Sequence, residues 1–120
     1  MKTIESGNLN EKIACEFLIE KGLTLVTSNY HSRYGEIDLI MRDAAGTWVF
    51  VEVRFRRTSR LVGAAMSVTR AKQKKIALTA LTFLQRNNKT QSNCRFDVVA
   101  ISPKGTEWIK SSFDFDMNNQ

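Results

Sequence analysis

The stretch YGEIDLIMRDAAGTWVFVEVRFRR, residues 34–57, constrains the fold more than any other part of the chain. Two apolar runs of strand composition flank Asp43-Ala44-Ala45-Gly46-Thr47, which suits a three-residue hairpin loop closed by a left-handed glycine. In that register residue 43 faces 47, so Asp38 faces Glu52. Strand alternation puts Glu36, Asp38 and Ile40 on one face and Ile37, Leu39 and Met41 on the other. On the second strand Trp48, Phe50, Glu52 and Arg54 share a face, opposite Val49, Val51, Val53 and Phe55. Two carboxylates thus stand side by side within apolar runs, roughly 5 Å apart at Cβ, with an arginine one step beyond. Such a pair persists if one acid is protonated, if cations pair with it, or if a divalent metal bridges it. The hairpin alone leaves Arg54 as salt-bridge partner and a hard metal ion as equal readings.

Around the hairpin the pattern predicts a first helix over 9–21, capped by Asn8 or Asn10 and stopped by Gly22. Strands follow at 23–30, 36–42 and 47–56, then a basic loop at 57–66 and a second helix from Thr69 to Arg86. A strand at 95–102, a turn from Pro103 to Gly105 and a short strand at 106–110 complete the series, and a polar tail (113–120) is expected to fray. This order implies one α/β or α+β domain over 1–120, a mixed central sheet flanked by helices. No apolar run is long enough to span a membrane, and the N-terminus lacks a signal-peptide core. Cys15 and Cys94 show no metal or disulfide spacing. A cytoplasmic protein is expected.

Charge is segregated along the chain. The net charge is +6, yet no acid lies between Glu52 and Asp97, a gap holding eleven bases, and the remainder of the chain is net acidic. A one-sided positive field is what a polyanionic partner requires, which favours nucleic acid over a merely solvated face. On the second helix the apolar stripe Ile76, Ala77, Ala80, Leu81 and Leu84 extrapolates back to Gln73. Arg70, Lys72, Lys74 and Lys75 crowd its first turns, where cations oppose the helix dipole unless phosphates bind there. On the first helix Glu11 lies on the inward stripe of Ala14, Cys15 and Leu18, while Lys12, Glu16 and Glu20 point away. The helix dipole alone would explain an acid in that first turn. Its inward position argues for more.

A helix glutamate, an aspartate, Glu-x-Arg on paired strands and a helix glutamine, in that order, resemble the PD-(D/E)xK, restriction-endonuclease-like nucleases. More closely, GEIDLIMRD, VFVEVRFRR, VTRAKQKKI and CRFDVVAI are similar to the YraN-type family of small bacterial proteins, over roughly residues 8 to 112. That family is thought similar in fold to archaeal Holliday-junction resolvases, which are dimers that cut four-way DNA junctions with magnesium. The resemblance implies Asp38 and Glu52 as metal ligands, with the Val53 carbonyl as a third. It matches Glu11 to the helix glutamate, counted also as a metal ligand, and Gln73 to the helix glutamine. Glu36 becomes an outer acid or ion-pair partner, and Asp97 no more than a partner for a base.

One residue departs from that pattern: Arg54 stands where the nucleases carry lysine. Arginine stays charged and cannot act as a base, though it can orient water and neutralise charge. The expectation is therefore an endonuclease-like protein using Mg²⁺ or Mn²⁺, with catalytic residues Glu11, Asp38, Glu52, Arg54 and Gln73. Arg56, Arg57, Arg60, Arg70, Lys72, Lys74 and Lys75 would track DNA phosphates. The alternatives are an inactive nucleic-acid-binding module on a nuclease scaffold and an adaptor for an acidic protein. A homodimer fits the resolvase resemblance, with Trp108 as a contact.

Overall fold

The computed structural model describes residues 8–57 and 68–114. It runs α1 (Leu9–Glu20), β1 (Thr24–Ser32), β2 (Gly35–Arg42), β3 (Trp48–Phe55), α2 (Arg70–Arg86), β4 (Cys94–Ser102) and β5 (Gly105–Phe113). Arg60, most of the basic loop at 57–66 and tail residues 115–120 lie outside the described residues. The strands form one sheet in the order β1-β2-β3-β4-β5. β3 and β4 pair in parallel and the other neighbours are antiparallel. Tight turns suffice for the antiparallel pairs, whereas the parallel pair needs a crossover, which contains α2. This is the α+β mixed sheet that the pattern implies.

The hairpin forms in the expected register. Leu39 faces Val51 and Met41 faces Val49. The Asp43 N–H donates to the Thr47 carbonyl at 3.1 Å, and Gly46 closes the turn at φ 89°, which a residue without a Cβ adopts freely. α1 is capped by the Asn8 side chain, which accepts from the Asn10 and Glu11 N–H groups. Its Ala14, Cys15 and Leu18 pack on one sheet face, against Leu39, Met41, Val49, Val51, Val99 and Ile101. α2, capped by Thr69, covers the opposite face with Ile76, Ala77, Ala80, Phe83 and Leu84. Trp48 and Phe50 lie in the core beneath it, as expected. β4, covered on both sides, is buried along most of its length. Both thiols are free, and burial raises the pKa of each.

Three elements differ from the sequence expectation. Leu81 is only half-buried; Phe83 takes its place, meeting Tyr30, Trp48 and Phe50 edge-on at 5.2, 5.3 and 6.3 Å. Thr79 can join this buried stripe because its hydroxyl donates to the Lys75 carbonyl and bonds Ser32 Oγ, both at 2.8 Å. Ile37 packs with Ile40 and Phe50 under α2, not with Leu39 and Met41. The β2–β3 ladder ends at Leu39 and Val51, so β2 is no longer bound to β3's alternation beyond that pair. Finally, β5 extends to Phe113, past the expected end at 110, because Phe113 stacks on Phe96 at 4.9 Å.

Candidate active site

The end of the β2–β3 ladder makes the site. Past Leu39 and Val51 the next residues are Asp38 and Glu52, so the two carboxylates flank the point where the strands part. The Val53 N–H is met by a side chain: Asp38 Oδ2 accepts from it at 2.8 Å. A carboxylate is tolerated there partly because it satisfies a backbone donor that would otherwise be orphaned. Glu52 is buried in the same wall, close enough for its charge to act on Asp38. Burial, and then the negative charges of Glu52 and Glu11, push the Asp38 carboxyl up to about 7 against the lowering effect of the Val53 N–H.

These acids open into a cavity of about 510 Å³ between the parted strands and the start of α2. Gly35, Glu36, Asp38, Glu52 and Val53 line one side, and Thr69, Lys72 and Lys75 contribute to the other. Glu36 faces His31 at 3.4 Å, an ion pair when the imidazole is protonated. Lys72 Nζ reaches Glu52 Oε2 at 2.7 Å. Arg54 Nη2 stays 3.9 Å from the same oxygen, beyond hydrogen-bond distance. Its Nε is buried without a hydrogen-bond partner among the described residues.

Sequence position therefore does not map simply onto the cavity. Asp38 and Glu52 come together, as the hairpin register requires. Glu11 is buried, with Asn8 Nδ2 donating to Oε2 at 3.3 Å, and it acts on Asp38 through charge. It does not close a cage: among the described residues no three His, Cys, Asp or Glu side chains gather closely enough to hold a metal. Gln73 turns away from the cavity; its Nε2 donates to the Val68 carbonyl at 2.8 Å and its Oε1 accepts from Arg70. The residue that reaches the acids is its neighbour Lys72. A stripe drawn through Ile76, Thr79 and Phe83 leads back to Lys72, whereas one drawn through Leu81 leads to Gln73. Ala77, Ala80 and Leu84 are buried too and lead back to Gln73, so the stripe alone points to both residues.

The donor set suits a hard divalent cation. Mg²⁺ takes one or two carboxylates plus substrate phosphate and keeps several waters, so a two-acid wall facing an open cavity fits it better than a closed cage would. Glu11 Oε1, buried and without a hydrogen-bond partner among the described residues, is the kind of group that holds such a water.

Of the cationic residues expected to meet phosphate, Lys72, Lys74 and Lys75 are exposed on the first turns of α2. Arg70 stands at the helix start, Arg57 is exposed after β3, and the Arg56 N–H ties that strand end to the Ile101 carbonyl at 2.8 Å. No helix among the described residues is long and apolar enough to cross a membrane.

Fold and pocket together define a small α+β protein with a carboxylate pair at a parted hairpin and a lysine-bearing helix start opposite. Residues 10–101 match the model of the family described as Uncharacterised protein family UPF0102, and the chain belongs to that family. It is 46% identical over 117 residues to a UPF0102 protein of Ralstonia pickettii (strain 12J), covering 95% of this chain and 94% of that one. It is 47% identical over 116 residues to the UPF0102 protein YraN of Escherichia coli O139:H28 (strain E24377A / ETEC), covering 95% and 88%. Among solved structures it is similar to the crystal structure of a repair endonuclease from Pyrococcus abyssi, at TM-score 0.48 and 21% identity over 82% of this chain. An EndoMS–dsDNA2 complex is also similar, at TM-score 0.43 and 18% identity over 85% of this chain. The chain spans 41% of the length of each of those two structures.

Proposed function

We propose that the protein is a divalent-metal-dependent endonuclease acting on DNA, with branched or flapped forms as the preferred substrates. The observation that carries this reading is the Asp38–Glu52 pair, placed in a cavity whose far wall is the cationic start of α2. Asp38 and Glu52 would hold Mg²⁺ or Mn²⁺, which would supply a polarised phosphodiester and a water of lowered pKa. Lys74, Lys75, Arg70 and Arg57 bind phosphates without reading sequence, as exposed cationic side chains do. Glu11 orients water behind Asp38, and Arg54 offsets charge at Glu52.

The test uses end-labelled duplex, 5′-flap and four-way-junction DNA with Mg²⁺, Mn²⁺, Ca²⁺ or EDTA. Strand scission is expected with Mg²⁺ and Mn²⁺ only, and it should vanish in Glu52→Gln. A second reading has its own support: Glu52 already holds a cation at 2.7 Å and a second at 3.9 Å, as a metal-free binding module would. Retention of DNA with no scission under any metal, and no calorimetric heat with Mn²⁺, would decide for that module.

Both readings require the rim to bind DNA. The double substitution Lys74→Glu and Lys75→Glu is expected to weaken DNA binding by about tenfold or more and to reduce the slope of log K against log salt by about 2. Unchanged affinity and slope in fluorescence anisotropy would leave an acidic protein as the partner instead.

A further inference from the structure

We propose that Lys72, delivered from α2, is the catalytic cation of this pocket: it holds the divalent ion's place on Glu52 and moves to the scissile phosphate when the ion binds. This rests on the nuclease reading above. Lys72 Nζ lies 2.7 Å from Glu52 Oε2, on an acid whose side chain is only 8% exposed, while the lysine itself is half-exposed along the cavity wall. The head group therefore has room to move, and an ion pair with one solvated partner is weak enough to release. Arg54 lacks that freedom: its side chain is one-fifth exposed, its head stops at 3.9 Å and it does not line the cavity.

Position on the helix gives the second argument. The Lys72 N–H is in the first turn, bound to the Thr69 hydroxyl at 3.2 Å. Cations are disfavoured there by the helix dipole and anions are favoured. An anion beside a lysine in that turn offsets the unfavourable dipole. Glu52 is that anion while the acids hold no ion. A divalent ion on the carboxylate would repel Lys72 from it and leave the ammonium free to meet a phosphate entering the same cavity. Lys75, one turn along the same wall, guides that phosphate inward.

In hydrolysis the water oxygen forms a bond to phosphorus. The P–O bond to one sugar breaks, its electron pair staying on the sugar oxygen, which takes a proton from solvent as the attacking water gives one up. Lys72 remains an ammonium throughout and donates an N–H to a non-bridging oxygen as charge builds on it. The lysine absent from position 54 is thereby supplied from the helix.

Three measurements on Lys72→Met and Lys72→Arg test this: Mn²⁺ affinity by calorimetry, DNA affinity in Ca²⁺, and single-turnover scission at saturating DNA and Mg²⁺. Lys72→Met should bind Mn²⁺ several-fold to about tenfold more tightly, because no ammonium competes for Glu52. Its saturated rate should fall about a hundredfold, with DNA affinity changed by no more than about threefold. Lys72→Arg should show no gain in Mn²⁺ affinity. Weaker DNA binding with unchanged Mn²⁺ affinity and saturated rate makes Lys72 an ordinary phosphate contact; the inference fails and the nuclease reading stands. Tighter Mn²⁺ binding with an unchanged saturated rate also overturns it. A wild type that neither binds Mn²⁺ nor cuts DNA overturns both.

Discussion

Asp38→Asn is expected to abolish scission, by roughly a thousandfold or more, while making the metal-free protein more stable than wild type at pH 8.5. The loss would follow from removing one of the two carboxylates proposed to hold the metal. The gain follows from the proton. Asp38 titrates near 7 in the folded chain, against 3.8 ordinarily, chiefly because it is buried and then because Glu52 and Glu11 repel its charge. Between those values the folded protein keeps a proton that the unfolded chain has released. Stability therefore declines as pH rises from about 4 to about 7 and is level above that. A shift of this size corresponds to at most about 4 kcal/mol, and solvent at the cavity mouth reduces it to nearer 2. Asparagine carries no charge at any pH and keeps an oxygen for the Val53 N–H, so it escapes the decline.

Urea unfolding in EDTA at pH 5 and pH 8.5 checks the sign: the variant should exceed wild type only at the higher pH. If both acids hold the ion, as proposed, adding Mg²⁺ should raise the wild-type midpoint alone. An Asp38→Asn protein that cuts DNA, or that gains nothing at pH 8.5, would remove Asp38 from the role assigned to it.

The acid pair was legible before any coordinates because two local rules suffice to place it. The loop Asp43–Thr47 sets the register, and alternation then sets the face. What lay beyond those rules was not legible. Alternation fails at Ile37, where β2 has left β3, and that same parting creates the cavity. On α2 the buried stripe is broad: Ala77, Ala80 and Leu84 lead back to Gln73, while Ile76, Thr79 and Phe83 lead back to Lys72. Phe83 is buried through aromatic packing against Tyr30, Trp48 and Phe50, contacts with two strands, β1 and β3, that lie far from it in sequence. Trp108, expected at a dimer contact, meets Phe17 edge-on at 6.5 Å and gives its N–H to Asp97 within the chain.

Asp97→Ala is expected to destabilise the protein by about 3–5 kcal/mol, a large part of what a domain of this size possesses. The sequence suggested only a partner for a base; the structure shows a hub. Asp97 is 1% exposed and accepts from Arg95 Nε at 3.1 and 3.2 Å, from Trp108 Nε1 at 2.9 Å and from the Ser111 N–H at 2.9 Å. Ser111 has φ 49°, and the β4–β5 register slips between Phe96 and Val98, so the carboxylate binds a backbone donor that the regular ladder misses. Arg95 in turn reaches Asp43 at 3.3 Å, tying the β2–β3 turn to β4.

Alanine would leave the indole, the amide and the guanidinium without their shared acceptor, and buried donors left unmade cost more than the bond is worth when formed. Asparagine is no remedy, since its amide turns hydrogens toward one of the same donors. Trp108→Phe, which removes one donor and leaves the acceptor bound to the others, should cost less, about 1–2 kcal/mol. Urea midpoints at constant m-value rank the three. A cost below 1 kcal/mol for Asp97→Ala would show that β5 is held by its apolar contacts alone, with Phe113 on Phe96 as the anchor.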